Sequence, residues 1–268
     1  MLALIAGQGR LPAVLAAAHA GARGEPPLVC ALEGFSPEGL AVDIRFRLET
    51  LGSLIADLKA RGVRRVCMAG AVRRTPIDPG LIDAPTRPLV PILQRAQAGG
   101  DDAALRAVIA VFEQAGLCIV AAHEVAPDLL PPAGCTTRAQ PGDRDRTDAA
   151  RAQSIVAAMG QADIGQSCAV LKGQALAIEG VFGTDWMLAS LQARADSGGG
   201  ILYKAPKPVQ DRRADLPAIG LETVSGAVAA GLGGIVIEAG GVIVLDRAQV
   251  LADCDSRGLF LWVRETSG

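Results

Sequence analysis

The chain has 268 residues with 26 basic and 28 acidic side chains, a formal charge of −2 that leaves no electrostatic footprint for a nucleic-acid partner. Aromatic residues make up 3%, too few for base-stacking platforms. No run of about eighteen residues stays apolar, so no membrane span is expected, and MLALIAG (1–7) lacks the basic region that opens a signal peptide.

The first half alternates apolar runs with helical spacing. LALIAG (2–7) reads as a strand closed by glycine, and PAVLAAAHAGA (12–22) as a helix with proline in its first turn. LVCALEG (28–34) is a second buried strand, LGSLIADLKARGV (51–63) a helix, and RRVCMAGAV (64–72) a third strand. DDAALRAVIAVFEQAG (101–116) is a helix whose acidic first turn suits the helix dipole, and LCIVAAHEV (117–125) follows as a strand. Strands alternating with helices predict a parallel sheet covered on both faces, a Rossmann-like N-terminal domain over 1–130. A Pro-, Gly- and charge-rich stretch then predicts a linker over 131–148.

The rhythm changes in the second half. ARAQSIVAAMGQA (150–162) is a helix, and SCAVLKGQALAIEGV (167–181) a hairpin about a Lys-Gly turn. TDWMLASLQARAD (184–196) is a helix with Thr184 or its neighbour as N-cap. GGILYKAP (199–206) is a strand, ETVSGAVAAGL (222–232) a helix, and GIVIEAGGVIVL (234–245) a second strand pair about a Gly-Gly turn. This predicts a mixed α/β C-terminal domain over 149–268. Six cysteines stand singly, at Cys30, Cys67, Cys118, Cys135, Cys168 and Cys254, without the close pairs of zinc or redox motifs. They read as reduced, mostly buried thiols of a cytosolic protein.

Three loops carry candidate chemistry. AGQGRLP (6–12) follows the first strand, where Gly7 and Gly9 let backbone approach a phosphate. Pro12 stands where a full dinucleotide fingerprint has a small residue, although Glu33 sits about where a ribose-binding acid belongs. MAGAVRRT (68–75) follows the third strand and offers Arg73 and Arg74 to phosphate oxygens or simply to solvent. GGDDAAL (99–105) adds Asp101 and Asp102, as helix capping or metal ligands. The third loop is YKAPKPVQDRRADLPAIG (203–220). Lys204 and Lys207 follow a strand, and Asp211, Arg213 and Asp215 alternate, pointing one way if the segment is extended. Pro206, Pro208 and Pro217 stiffen it. Carboxylates for a divalent ion, with cations for phosphates, are what phosphoanhydride cleavage requires.

Together these motifs resemble the UDP-2,3-diacylglucosamine pyrophosphatase family of lipid A biosynthesis, the metal-dependent LpxI type. The resemblance runs through LIAGQGRLP (4–12), ALEGF (31–35), MAGAVRR (68–74), GDDAAL (100–105), GTDWML (183–188) and above all KAPKPVQDRRADLPAIG (204–220), in the family's order and over nearly the whole chain. It implies two α/β domains with the active site in the interdomain cleft. It implies hydrolysis of UDP-2,3-diacylglucosamine to UMP and 2,3-diacylglucosamine 1-phosphate, with water attacking the sugar-side phosphorus, and a magnesium-type ion in a Gram-negative cytoplasm. By resemblance Asp215 and then Asp211 are the metal ligand or water-orienting base. Lys204, Lys207, Gln210 and Arg213 would bind the diphosphate, with Thr184 and Asp185 as site partners. Gly7, Gln8, Gly9 and Arg10 would hold the nucleotide or a phosphate, with Gly70, Ala71 and Arg73 nearby. Asp101, Asp102, Asp185 and Glu179 stand as further metal candidates. The expected partner is a small lipid-linked nucleotide; peripheral contact with the inner membrane and pairing into a homodimer stay open. The competing readings are an NAD(P)-dependent oxidoreductase using 6–12 and Glu33, and a non-catalytic nucleotide or lipid carrier.

Overall fold

The computed structural model describes residues 1–73, 75–98, 101–196, 198–208 and 210–265, and of residues 95–98, 101 and 102 the backbone alone. The chain divides into two compact units, one of Met1–Pro127 with Asp211–Asp215, the other of Asp128–Gln210 with the chain from Leu216 onward. Among the described residues no helix is long and apolar enough to cross a membrane.

The first unit runs β1 (Leu2–Ala6), α1 (Leu11–Arg23), β2 (Leu28–Leu32), β3 (Ile44–Phe46), α2 (Leu51–Ala60), β4 (Arg65–Ala69), α3 (Val90–Ala98), α4 (Asp101–Gln114), β5 (Cys118–Ile119) and α5 (Ala122–Val125). Its sheet has the order β3-β2-β1-β4-β5, and each neighbouring pair is parallel. That is the Rossmann order, with its reversal between β1 and β4. The inner strands β1, β2 and β4 are nearly continuous apolar runs because both of their faces are covered. On α2 the residues Leu51, Leu54, Ile55 and Leu58 recur at helical spacing and are buried, packing with Val66, Phe112 and Ile119 in one core. The strand expected over 117–125 is only two residues long. Ala121 leaves the ladder, and its N–H donates to the Glu124 carboxylate at 3.2 Å, which starts the single turn of α5.

The second unit runs β6 (Gly134–Cys135), α6 (Asp143–Gln161), β7 (Ser167–Leu171), β8 (Gln174–Ile178), α7 (Gly183–Ser190), β9 (Ile201–Lys204), β10 (Ala218–Ile219), α8 (Leu221–Ala229), β11 (Gly234–Glu238), β12 (Ile243–Val244), α9 (Arg247–Arg257) and β13 (Phe260–Arg264). Six strands form a mixed sheet of order β6-β13-β11-β9-β7-β8, in which β9, β11 and β13 are parallel. The β7–β8 hairpin forms as expected, with Lys172 and Gly173 both at positive φ. The second hairpin does not. β11 is buried between β9 and β13, while β12 pairs in parallel with β10. A strand apolar on both faces takes the sheet interior, and a hairpin partner there would displace one of its two parallel neighbours.

The stretch 131–148 holds β6 and the first turns of α6 rather than an open linker. Its charge run includes Asp143 and Asp145 in the first turn of α6, and the Gly142 N–H donates to Asp145 at 2.9 Å. Cys30, Cys67, Cys168 and Cys254 are buried, but Cys118 is exposed where β5 ends the sheet.

Candidate functional site

In the first unit the loops after β1 and β4 lie at the topological switch point, the place where open α/β sheets receive ligands. They hold each other directly. The Gln8 N–H donates to the Ala71 carbonyl at 2.8 Å, and the Ala71 N–H to the Gln8 carbonyl at 3.1 Å. Glycine makes the approach feasible: a Cβ at Gly7 would lie 2.6 Å from the Ala71 oxygen, and one at Gly70 would lie 2.7 Å from the Gln8 oxygen. Gly7 and Gly70 thus have a backbone reason to be glycine. Around Gly9, by contrast, the space within 4 Å is open. Gln8, Arg10 and Arg73 are exposed at this edge, and Arg10 is the N-cap of α1 with Pro12 inside the first turn. Glu33 is bound to Arg47 at 3.0 Å. Arg74 lies outside the described residues, as do the side chains of Asp101 and Asp102.

In the second unit the segment after β9 packs its prolines closely against two glycines. A Cβ at Gly160 of α6 would lie 2.6 Å from Pro208 Cδ, and one at Gly241 would lie 2.8 Å from Pro206 Cδ. The two proline rings are therefore seated against bare backbone. Buried Gln210 closes the turn: its side-chain carbonyl accepts the Lys207 N–H at 2.9 Å, and its N–H donates to the Lys207 carbonyl at 3.2 Å. Lys207 Nζ is 2.5 Å from Asp163, a partner 44 residues earlier in the chain.

Lys204, at the C-terminal end of β9, is buried, and its Nζ donates to Thr184 Oγ1 at 2.9 Å. Thr184 is not an N-cap. Phe182 holds that place, Gly183 follows at φ 81, and Thr184 is buried within the first turn of α7. Its hydroxyl donates to Glu179 Oε2 at 3.2 Å, and the same oxygen accepts the Ser167 hydroxyl at 2.6 Å. Asp185 is exposed. Ser167 escaped sequence reading because only the strand register sets it beside Lys204. Next to Thr184 in sequence, Val181, Phe182 and Trp186 are exposed, and the two rings sit 5.3 Å apart.

Residues 211–215 count with the first unit and are a helical turn, not an extended strand. The Asp215 N–H donates to the Asp211 carbonyl at 3.1 Å, so the alternation of three side chains on one face does not arise. The Arg213 backbone N–H and Nε both reach Asp211 Oδ1 at 3.0 Å, while Nη2 reaches Oδ2 at 2.8 Å. Nη1 goes to Glu113. Those Arg213 bonds, working against partial burial, hold the Asp211 carboxyl below its ordinary pKa, and the two carboxylates raise that of Arg213.

Among the described residues no three His, Cys, Asp or Glu side chains gather as a metal cage. Magnesium does not demand one: it binds through one or two carboxylates plus substrate phosphates and water. Asp211 and Asp215, one helical turn apart, match that reduced donor set, although Arg213 takes much of the capacity of Asp211.

Two family models match most of the chain, the LpxI N-terminal domain over residues 1–129 and the LpxI C-terminal domain over residues 132–262. A Caulobacter vibrioides protein named UDP-2,3-diacylglucosamine pyrophosphatase LpxI is 38% identical over 271 aligned positions, which cover 97% of this chain and 96% of that one.

Proposed function

The chain belongs to the LpxI family, and from that premise we propose that it hydrolyses the diphosphate of UDP-2,3-diacylglucosamine to UMP and 2,3-diacylglucosamine 1-phosphate. The observation that carries this is 38% identity to a pyrophosphatase of that name across 97% of the chain. The protein is thus a hydrolase of lipid A biosynthesis acting on a lipid-linked nucleotide.

In the proposed reaction the water oxygen bonds to the sugar-side phosphorus. The bond from that phosphorus to the bridging oxygen breaks, UMP departs with the bridging oxygen, and the protons of water pass to solvent and product. Asp215 orients the attacking water and accepts its proton in the transition state. Lys204 and Lys207 hold the diphosphate oxygens in place, with Lys207 steadied by Asp163 and Gln210. Arg213, committed to Asp211 and Glu113, serves to set the turn that carries Asp215 and adds positive charge there. A magnesium-type ion, when bound, supplies charge neutralisation to the diphosphate, and Asp215 with the remaining capacity of Asp211 would hold it. The switch-point loops, through Gly9, Gln8, Arg10 and Arg73, take the uridine or its phosphate. Exposed Val181, Phe182 and Trp186 offer apolar cover to the acyl chains. A cytoplasmic setting in a Gram-negative cell, with peripheral contact at the inner membrane, fits this substrate.

The test is incubation of the purified protein with UDP-2,3-diacylglucosamine and magnesium, followed by detection of UMP. Release is expected, with loss on chelation and return on adding magnesium. A folded protein that releases no UMP overturns the activity, and full turnover in excess chelator overturns the ion.

A further inference from the structure

Three strands bring three polar side chains into one row in the second unit. Ser167 at the start of β7 pairs with Lys204 at the end of β9. On the other side of Ser167, the Glu179 N–H donates to the Ser167 carbonyl at 2.9 Å, one residue past β8. Cross-strand partners face the same side of a sheet. Thr184 closes the row from the first turn of α7. All four are buried, Ser167 at 0%, Lys204 and Thr184 at 7% and Glu179 at 9% exposure.

The bonds have one direction. An ammonium has no lone pair and a carboxylate has no proton. So Thr184 Oγ1, which accepts from Lys204 at 2.9 Å, directs its own proton either to Ser167 Oγ at 3.3 Å or to Glu179 Oε2 at 3.2 Å. Ser167 donates to that same oxygen at 2.6 Å. Glu179 is itself held in place, because Gly165 presses bare backbone on it: a Cβ there would lie 2.5 Å from the Glu179 carbonyl oxygen. A buried cation is costly without a compensating charge, and a buried carboxylate equally so. The row answers both needs across one hydroxyl.

We propose that Glu179 is a positioning residue for the hydrolytic site, fixing the Lys204 ammonium at the C-terminal end of β9 through the Thr184 hydroxyl. The proposal deepens the reading of Lys204 as a diphosphate-binding cation and rests on it. It gives Glu179 a role other than metal ligand, with its Oε2 engaged by the two hydroxyl groups. It makes Thr184 the link to Lys204 in place of a substrate contact.

The experiment measures UMP release and thermal melting for Glu179→Gln, Thr184→Val, Thr184→Ser and Lys204→Met, and for Glu179→Gln combined with Lys204→Met. Loss of one hydrogen bond to a charged group predicts kcat/KM lower by about tenfold or more in Glu179→Gln and in Thr184→Val. Thr184→Ser regains most of that loss because the hydroxyl returns. On the Lys204→Met background Glu179→Gln costs less than about twofold further, because its effect runs through the missing lysine. Full additivity in the double variant overturns the proposal, and so does a folded Thr184→Val protein with wild-type turnover beside an impaired Lys204→Met. If Glu179→Gln does not fold, the Thr184 pair decides by the same criteria. Wild-type turnover in Lys204→Met overturns the reading of Lys204 and the proposal with it, whereas absence of UMP release by the wild-type protein rejects the activity itself.

Discussion

Arg213 holds both oxygens of Asp211, at 3.0 and 2.8 Å, and extends its other terminal nitrogen to Glu113. A carboxylate so held has a lower pKa folded than unfolded. Its contribution to stability is therefore complete above the unfolded value, near the ordinary 3.8, and is lost as pH falls through the folded value. Both side chains are partly exposed, so the worth of the pair is no more than about 1 kcal/mol. Arg213→Gln should lower denaturant stability by that amount at neutral pH, and the gap from wild type should close in acid. A gap unchanged in acid would contradict this.

Gly160 lies in the last turn of α6, where alanine ordinarily gains up to about 1 kcal/mol. Here the added methyl would lie 2.6 Å from Pro208 Cδ, on a rigid ring. Overpacking of that kind costs about 1–3 kcal/mol. Gly160→Ala should therefore melt no higher than wild type, and its UMP release should fall as Lys207 and Gln210 move. A variant stabilised by the full helix gain with unaltered turnover would show that the contact does not matter.

Gly70 and Gly9 both have φ of 89°, but only at Gly70 would a Cβ meet backbone, 2.7 Å from the Gln8 oxygen. Alanine at either position costs about 1–3 kcal/mol of backbone strain. At Gly70 it must also part the Gln8–Ala71 exchange. In equilibrium unfolding, Gly70→Ala should be the less stable of the two by about 1 kcal/mol or more, one or two lost hydrogen bonds. Equal destabilisation would mean that the loops separate without cost.

Burial pushes the Cys30, Cys67 and Cys168 thiols up to about 12, and that of Cys254 to about 11. Thiolate is the reactive form, so these four should resist alkylation in the native protein near neutral pH. Mapping by mass spectrometry should find label first on exposed Cys118. Rapid native labelling of Cys67 would indicate an opening of the β1–β4 centre.

Much of the architecture could be read from the chain because its signals are local. Pro12 and the helical spacing of α1 mark a helix, and Lys172-Gly173 marks the hairpin that forms about it. Features that depend on distant partners could not be read. β12 has the same apolar look as β11, but the choice of β10 as its partner is made by packing. The 203–220 stretch stands out by charge and proline, yet the glycines that seat two of its prolines, Gly160 and Gly241, lie far away in sequence. Asp211 and Asp215 were visible as carboxylates; that they share a helical turn was not, because Arg213 reads equally well in an extended segment. Glu179 and Ser167 acquire meaning only through strand register.

The proposed reaction turns on Asp215, which acts on the water that cleaves the diphosphate. Asp215→Ala removes a charge without adding bulk, so its melting temperature should stay close to wild type. Its release of UMP from UDP-2,3-diacylglucosamine should fall about a hundredfold or more, the scale for a general base or electrostatic group. Substrate should still bind, because Lys204 and Lys207 remain. A folded Asp215→Ala protein that turns over near the wild-type rate would contradict the assignment and pass the role to Asp211.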